Sequence, residues 1–353
     1  MMTEKDRLGR MDVPPGKINL IIDTDAKNEV DDQFAIAWAI ASSNRFHLEA
    51  LYAVPFSHDC FQKLSKHQDL LDQAAVLNGH SEDPGDGMVQ SYAEIRKIML
   101  LMGEKPEGRL FRGSARYLPS VVEPVESNAA TDLIARCMAA EEPLYVAAIG
   151  ALTNIASALL MEPRIAEHMV LVWLGGHMPS CGHGIEFNLI QDVYAAQVVF
   201  DSGVPMIWIP CNNVASHLTV SEAELNHYLN GKGPVCDALT QTVFHTFQDP
   251  GAEIALMKLL RTSSMAENMD QPEGYLDQFE TIHVAWSRVI WDISAIAALK
   301  NPNWTPSKLI PAPVLSDDFH WLPGSKERHL IRQVTYCYRN LIFGDLFASL
   351  AGK

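Results

Sequence analysis

Four carboxylates, Asp23, Asp25, Asp31 and Asp32, fall within ten residues near the start of this 353-residue chain. Brought close together they repel strongly, and one divalent cation relieves that repulsion. Their hard oxygen donors favour calcium or magnesium over zinc. A plainer role exists for the second pair, because aspartates at a helix start cap it and interact well with its dipole. Asp23-Thr24-Asp25 closing an apolar run immediately before tips the balance toward a metal or catalytic site.

Such a site must be positioned by what surrounds it. Residues 18–22 (INLII) form a short continuous apolar run, the pattern of a strand covered on both faces of a parallel sheet. A helix follows over 32–42, with Phe34, Ile36, Ala37, Trp38 and Ile40 turned inward. Next come a strand over 48–54 and a helix over 61–77, while the Gly, Pro and charge content of 82–87 and 103–113 predicts loops. Ser127 is placed to cap a helix running to about Ala140. Strands over 144–149, 169–174 and 205–209 then alternate with helices over 152–161 and 192–201.

This alternation implies right-handed crossovers and an α/β fold, with a mostly parallel central sheet flanked by helices. Residues 221–300 read as a largely helical C-terminal part, and 328–337 as a late edge strand. Residues 1–16 form an N-terminal extension, disordered or lying on the surface, ahead of a single domain over 17–353. Ligands of open α/β sheets bind outside the carboxyl ends of the strands, where the acidic cluster falls.

Two enzyme classes place Asp-x-Asp after a first strand. Haloacid-dehalogenase-type phosphatases continue with x-Thr or x-Val and use magnesium. Here Lys27 stands in that place, and Asp317-Asp318, the available later acidic pair, lacks the preceding strand. Other segments fit the second class. Asp23-Thr24-Asp25 followed by Asp31-Asp32 resembles the DTDPGxDD signature of the nucleoside hydrolases, with two extra loop residues. Ile149-Gly150-Ala151-Leu152-Thr153-Asn154-Ile155-Ala156 resembles their GPLTNIA segment. Gly175-Gly176 followed by Glu186-Phe187-Asn188 resembles their GG…EFN segment, and Trp291-Asp292 their late His-Asp pair. Each is weak alone, since Thr153-Asn154 or Asp292 could merely cap a helix. Together they occur in the family's order.

The resemblance implies a nucleoside-hydrolase-like fold and calcium-dependent cleavage of a ribosyl N-glycosidic bond. Asp25, Asp32, Asp292 and the Ile149 carbonyl would hold Ca2+, with Asp25 also the general base. Asp31, Glu186 and Asn188 would bind the ribose hydroxyls, with Trp291 beside the substrate, and Asp23 would support the loop from behind. A homodimer or homotetramer acting on a small ribonucleoside or related ribosyl compound is implied as well.

Departures from the pattern cluster on the leaving-group side. Ala26-Lys27-Asn28-Glu29-Val30 replaces the loop that carries Pro-Gly, so Asn28 or Glu29 could enter the site. Trp291 stands where some members carry a His proposed to protonate the base. An Asn ahead of EFN is missing, with Ser180, Cys181 and His183 in that stretch, and Pro55-Phe56-Ser57-His58 replaces an Asn after the second strand. His177, His183, His245 and His283 are candidate acids. A binder that keeps the ribose floor but has lost turnover is the alternative from another class.

Composition narrows the partners. A formal charge of −16 argues against nucleic acid, whose binders cluster Lys and Arg. No apolar run approaches the roughly 20 residues that span a bilayer, so no membrane is expected. Residues 1–17 lack the apolar core of a signal peptide. The six cysteines are scattered without a CxxC pair, which suggests reduced thiols and a cytoplasmic location.

Overall fold

The first strand shows how the sequence builds the sheet. In β1 (Ile18–Thr24) every residue but Asn19 is buried. Leu20 and Ile22 enter one core while Ile21 enters the other, as the two-residue period of a strand requires. Tyr145 and Ala147 divide from Val146 and Ala148 in the same way on the neighbouring strand. A computed structural model describes residues 2–63, 81–248, 287–322 and 327–352.

After β1 come β2 (Phe46–Ala53), β3 (Leu110–Arg112), β4 (Leu144–Ala148), β5 (Met169–Leu174) and β6 (Met206–Ile209). The separate two-stranded pair β7 (Thr219–Ser221) and β8 (Ser287–Val289) is antiparallel. The chain then forms β9 (Ser307–Pro311), the small pair β10 (Val314–Leu315) and β11 (Trp321–Leu322), and β12 (Leu330–Val334). Eight strands make the main sheet in the order β3-β2-β1-β4-β5-β6-β12-β9, all parallel except the edge strand β9. Strand order reverses between β1 and β4, and the crevice above such a reversal is the usual ligand site of an open α/β sheet.

The helices are α1 (Glu4–Arg10), α2 (Asp32–Ala41), α3 (Pro84–Leu101), α4 (Asn128–Ala139), α5 (Thr153–Met161), α6 (Phe187–Gln191), α7 (Val193–Asp201), α8 (Glu222–Tyr228), α9 (Pro234–Gln248), α10 (Ile293–Lys300) and α11 (Arg339–Ala351). Residues of α2, α3, α9, α10 and α11 pack into one core and those of α4, α5 and α7 into the other. Asp32 through Ile40 of α2 are all buried. A helix that is apolar on every side in this way has to be enclosed by sheet and neighbouring helices. Among the described residues no helix is long and apolar enough to cross a membrane.

Several sequence expectations need correction. Of the two readings of the extension, residues 2–16 take the surface-lying one. Thr3 caps α1 by accepting from the Asp6 amide, Arg7 Nε donates to the Gly203 carbonyl at 2.8 Å, and Met11 is buried. Residues 84–87 are not a loop: Asp83 accepts from the Asp86 amide and Pro84 opens α3 in the position where its missing N–H costs nothing. Residues 110–112, expected in a loop, pair with β2. β12 is not an edge strand, being enclosed by β6 and β9. The expected helix over 61–77 lies mostly outside the described residues, as does His283.

Candidate active site

The sheet register brings the ends of β1 and β4 together. Asp23 lies opposite Ala148 and accepts the Ile149 amide at 2.8 Å through its carbonyl, while the Thr24 carbonyl accepts from Val54. Asp25 and Ile149 therefore leave adjacent strand ends side by side. The fit is close: a Cβ built on Gly150 would stand 3.0 Å from both Cγ and Oδ1 of Asp25. A larger residue here would press on the Asp25 carboxylate, and Trp173 Nε1 donates to the Gly150 carbonyl at 3.1 Å.

The second acidic pair opens α2. Asp31 occupies the cap position, yet its side chain makes no capping bond. Its Oδ2 instead accepts from the Asp292 amide at 3.3 Å, across a sequence separation of 261. The Thr24 hydroxyl donates to Asp32 Oδ1. Asp292 likewise stands at the start of α10 without a side-chain capping bond, so the capping reading fails for both residues. Among the described residues, Asp31, Asp32 and Asp292 offer carboxylate oxygens all within 4.8 Å of one another.

These groups are buried, and the charge of Arg288 near Asp31 opposes their repulsion without reversing it. Burial, reinforced by Asp31, raises Asp25 well above the ordinary carboxylate range. Burial likewise raises Asp31, Asp32 and Asp292, with the largest added charge from Glu29, Asp25 and Asp31 respectively. Asp23 is pushed up to about 7 by burial, opposed by a 2.9 Å hydrogen bond from Asn154 Nδ2. Oδ2 of Asp25 and Oδ2 of Asp23 are fully buried without a hydrogen-bond partner. Clustered oxygen donors, mutual repulsion and an orphaned Asp25 oxygen fit a hard divalent cation. Asp25 lies beside the tight trio, and Asp31, expected only at the sugar, lies within it.

Glu186 and Asn188 stand at the start of α6, tied to the end of β5. Glu186 caps α6: Oε2 accepts from Gly176 at 2.6 Å and from Leu189, and Oε1 from Asn188. Burial raises Glu186 and these donors, with the Cys211 thiol, oppose the rise. Asn188 Nδ2 donates to the Leu174 carbonyl at 3.0 Å. Trp291 is half-buried and packs against the core beside α10. Of the candidate acids, His177 is buried after β5 and pushed down to about 4 by burial and by His183, whose ring centroid is 5.7 Å away. His245 is exposed on α9. Asp317 and Asp318 lie exposed at the β10–β11 turn, apart from the buried acids, which removes the phosphatase reading's second pair.

Sequence reasoning missed several members. Asn154 does not cap α5: its Nδ2 serves Asp23 and its Oδ1 accepts the Ser114 amide at 2.8 Å. Gln191 Oε1 accepts from the Ser57 amide and the Tyr117 hydroxyl, and its side chain stabilises the charged form of Asp25. The Phe56–His58 stretch is thereby fixed beside the site, buried throughout. Glu29 forms a 2.6 Å ion pair with Arg288. A lone Arg in the apolar run AWSRVIW, which needs an acid if buried, was the available signal for that pair.

The family model described as "Inosine-uridine preferring nucleoside hydrolase" matches residues 20–317. The chain belongs to this nucleoside hydrolase family. A rice protein (Oryza sativa subsp. japonica) named "Probable uridine nucleosidase 2" is 26% identical over 232 residues, 63% of this chain and 64% of that protein. The pyrimidine-specific ribonucleoside hydrolase RihA of Klebsiella pneumoniae is 31% identical over 96 residues, 25% of this chain. The matched segments thus span 64% and 31% of these curated relatives' own lengths. Among solved structures, a plant nucleoside hydrolase superposes with a TM-score of 0.64 at 14% identity, covering 96% of this chain and 100% of that one. A purine-preferring ribonucleoside hydrolase from Gardnerella vaginalis gives 0.64 at 15% identity, covering 95% and 98%. The nucleoside hydrolase fold is therefore shared along nearly the whole chain.

Proposed function

We propose that this family member hydrolyses the N-glycosidic bond of a ribonucleoside or related ribosyl compound, releasing base and ribose, and that the reaction requires calcium. The observation that carries this reading is the buried convergence of Asp31 and Asp32 with Asp292, from opposite ends of the domain, beside an Asp25 with an orphaned oxygen. Asp25, Asp32, Asp292 and the Ile149 carbonyl would hold the ion, which supplies charge compensation and Lewis acidity toward water and sugar hydroxyls.

Asp25 accepts the proton of the attacking water. Its position against Gly150 fixes the carboxylate, and Gln191 eases its ionisation. Asp31 has Oδ2 engaged by the Asp292 amide, which leaves Oδ1 for a ribose hydroxyl. Glu186, locked by three backbone N–H groups, keeps lone pairs in a fixed direction for a second hydroxyl, and Asn188 Oδ1 is an acceptor for a third. These contacts hold the sugar as it flattens toward the oxocarbenium-like transition state. Asp23, tied to Asn154, supports the loop from behind, and Trp291 lies toward the aglycone. A single domain over 17–353, a homodimer or homotetramer and a cytoplasmic location belong to the same reading.

The test is release of ribose from a panel of purine and pyrimidine ribonucleosides, with and without chelator. Binding of nucleosides without ribose release would instead establish the binder that has lost turnover.

A further inference from the structure

Glu29 belongs to the longer loop that separates this chain from the family signature. It reaches Arg288 across 259 residues, Arg288 Nη2 lying 2.6 Å from Glu29 Oε2, with side chains only 10% and 27% exposed. Each partner adjoins one half of the acidic site. Glu29 lies two residues before Asp31, and Gln33 Nε2 holds the Glu29 carbonyl at 3.4 Å from the first turn of α2. Arg288 is the central residue of β8, paired with Val220, and the Ile290 amide is tied to the Leu218 carbonyl just before Asp292. β7 is itself anchored, because Arg339 Nε donates to the Thr219 carbonyl at 2.8 Å. Lys27 adopts a φ of 102°, a conformation that favours glycine, where the family signature has Gly.

We propose that the Glu29–Arg288 ion pair is a clamp that fixes the enlarged first loop to β8 and so sets the spacing of Asp31 and Asp32 from Asp292. A half-buried pair with short contact exceeds the worth of an exposed one, and losing one partner leaves the other poorly solvated. Glu29 and Arg288 are positioning residues, acting through the carboxylates they hold. The proposal rests on the metal-site reading above.

Field and clamp predict different signs, which makes the proposal testable. If the two residues acted only through their charge, Arg288→Met would tighten cation binding and Glu29→Asp, which keeps its charge, would leave it unchanged. A clamp requires both variants to weaken it. Calorimetric titration of calcium into the metal-free full chain is expected to show affinity about tenfold lower for each variant. Amide exchange at residues 28–34, measured without metal, is expected to be faster in both. Tighter binding by Arg288→Met, or parent affinity in Glu29→Asp, overturns the clamp. Should Arg288→Met fail to fold, Glu29→Asp alone decides by affinity and exchange. If the parent chain binds no calcium, the metal reading falls separately, and unchanged exchange in the variants then overturns the clamp as well.

Discussion

The ends of β1 and β4 and the ends of β5 and β6 lie side by side in one sheet but solve opposite problems. The first gathers Asp23, Asp25, Asp31, Asp32 and Asp292, all buried, with two orphaned oxygens. The second has one carboxylate, Glu186, satisfied by three backbone amides, beside a neutral buried His177. On the proposed reading one end calls for a cation from outside, whereas the other, with its carboxylate held by backbone amides and His177 Nδ1 left unpartnered, is suited to holding neutral hydroxyls. The proposed function assigns charge compensation during the reaction to the first end and orientation of the substrate to the second.

The largest effect expected on this division is from Asp25→Ala, which removes both a proposed ligand and the base. Ribose release should fall by a factor on the order of 10³ or more. A kcat within tenfold of the parent would move the base elsewhere. Gly150→Ala should come next. Its new Cβ would crowd Asp25 at 3.0 Å, and a displaced carboxylate costs roughly 10²-fold in kcat. Unchanged kcat would mean that Asp25 is not held where its role requires.

Protonation sharpens the contrast, since Asp23 at the first end and His177 at the second respond to pH with opposite sign in metal-free protein. Asp23, raised from 3.8 to about 7, keeps its proton in the fold. Its contribution is complete below the unfolded value and lost as pH rises through 7. His177, lowered from 6.5 to about 4, stays neutral in the fold. Its contribution is present above 6.5 and lost as pH falls through 4. Each group changes stability by up to ~1.4 kcal/mol per pH unit within its window. Urea unfolding with chelator at pH 4.5 and 6.5 checks this. The gain in stability between the two should be larger than the parent's by about 2 kcal/mol in Asp23→Asn and smaller by a similar amount in His177→Gln. Parent-like behaviour in both would erase the distinction. The smallest effect is expected from Lys27→Gly, which relieves the positive φ and should stabilise by about 1 kcal/mol. A lowered Tm would show that Lys27 contributes more through its contacts than it loses in strain.

The same contrast explains what the sequence made legible. The acidic end could be read directly, because apolar strands ending in Asp announce a parallel sheet and its ligand edge together. Contacts between distant segments could not. Arg288 and Glu29, or Asp31 and the Asp292 amide, meet only after the chain has folded. β12 looked like an edge strand because Arg332 and Gln333 interrupt it, yet Arg332 reaches Asp12 at 2.6 Å and Gln333 is buried. The start of α3 was readable in principle, since Asp83-Pro84 is a helix-opening pair that its glycine-rich surroundings disguised. Asn154 looked like a cap because its partners, Asp23 and Ser114, lie 131 and 40 residues away.

The central claim is that the buried carboxylates become an N-ribohydrolase site when a hard cation compensates them. Ribose release from a nucleoside panel, assayed after chelation and again after adding back calcium, tests it most directly. The account predicts turnover of at least one ribonucleoside that is lost with chelator and restored by calcium. Turnover that survives complete chelation would contradict the metal's role, and no ribose from any nucleoside with calcium bound would contradict the activity itself.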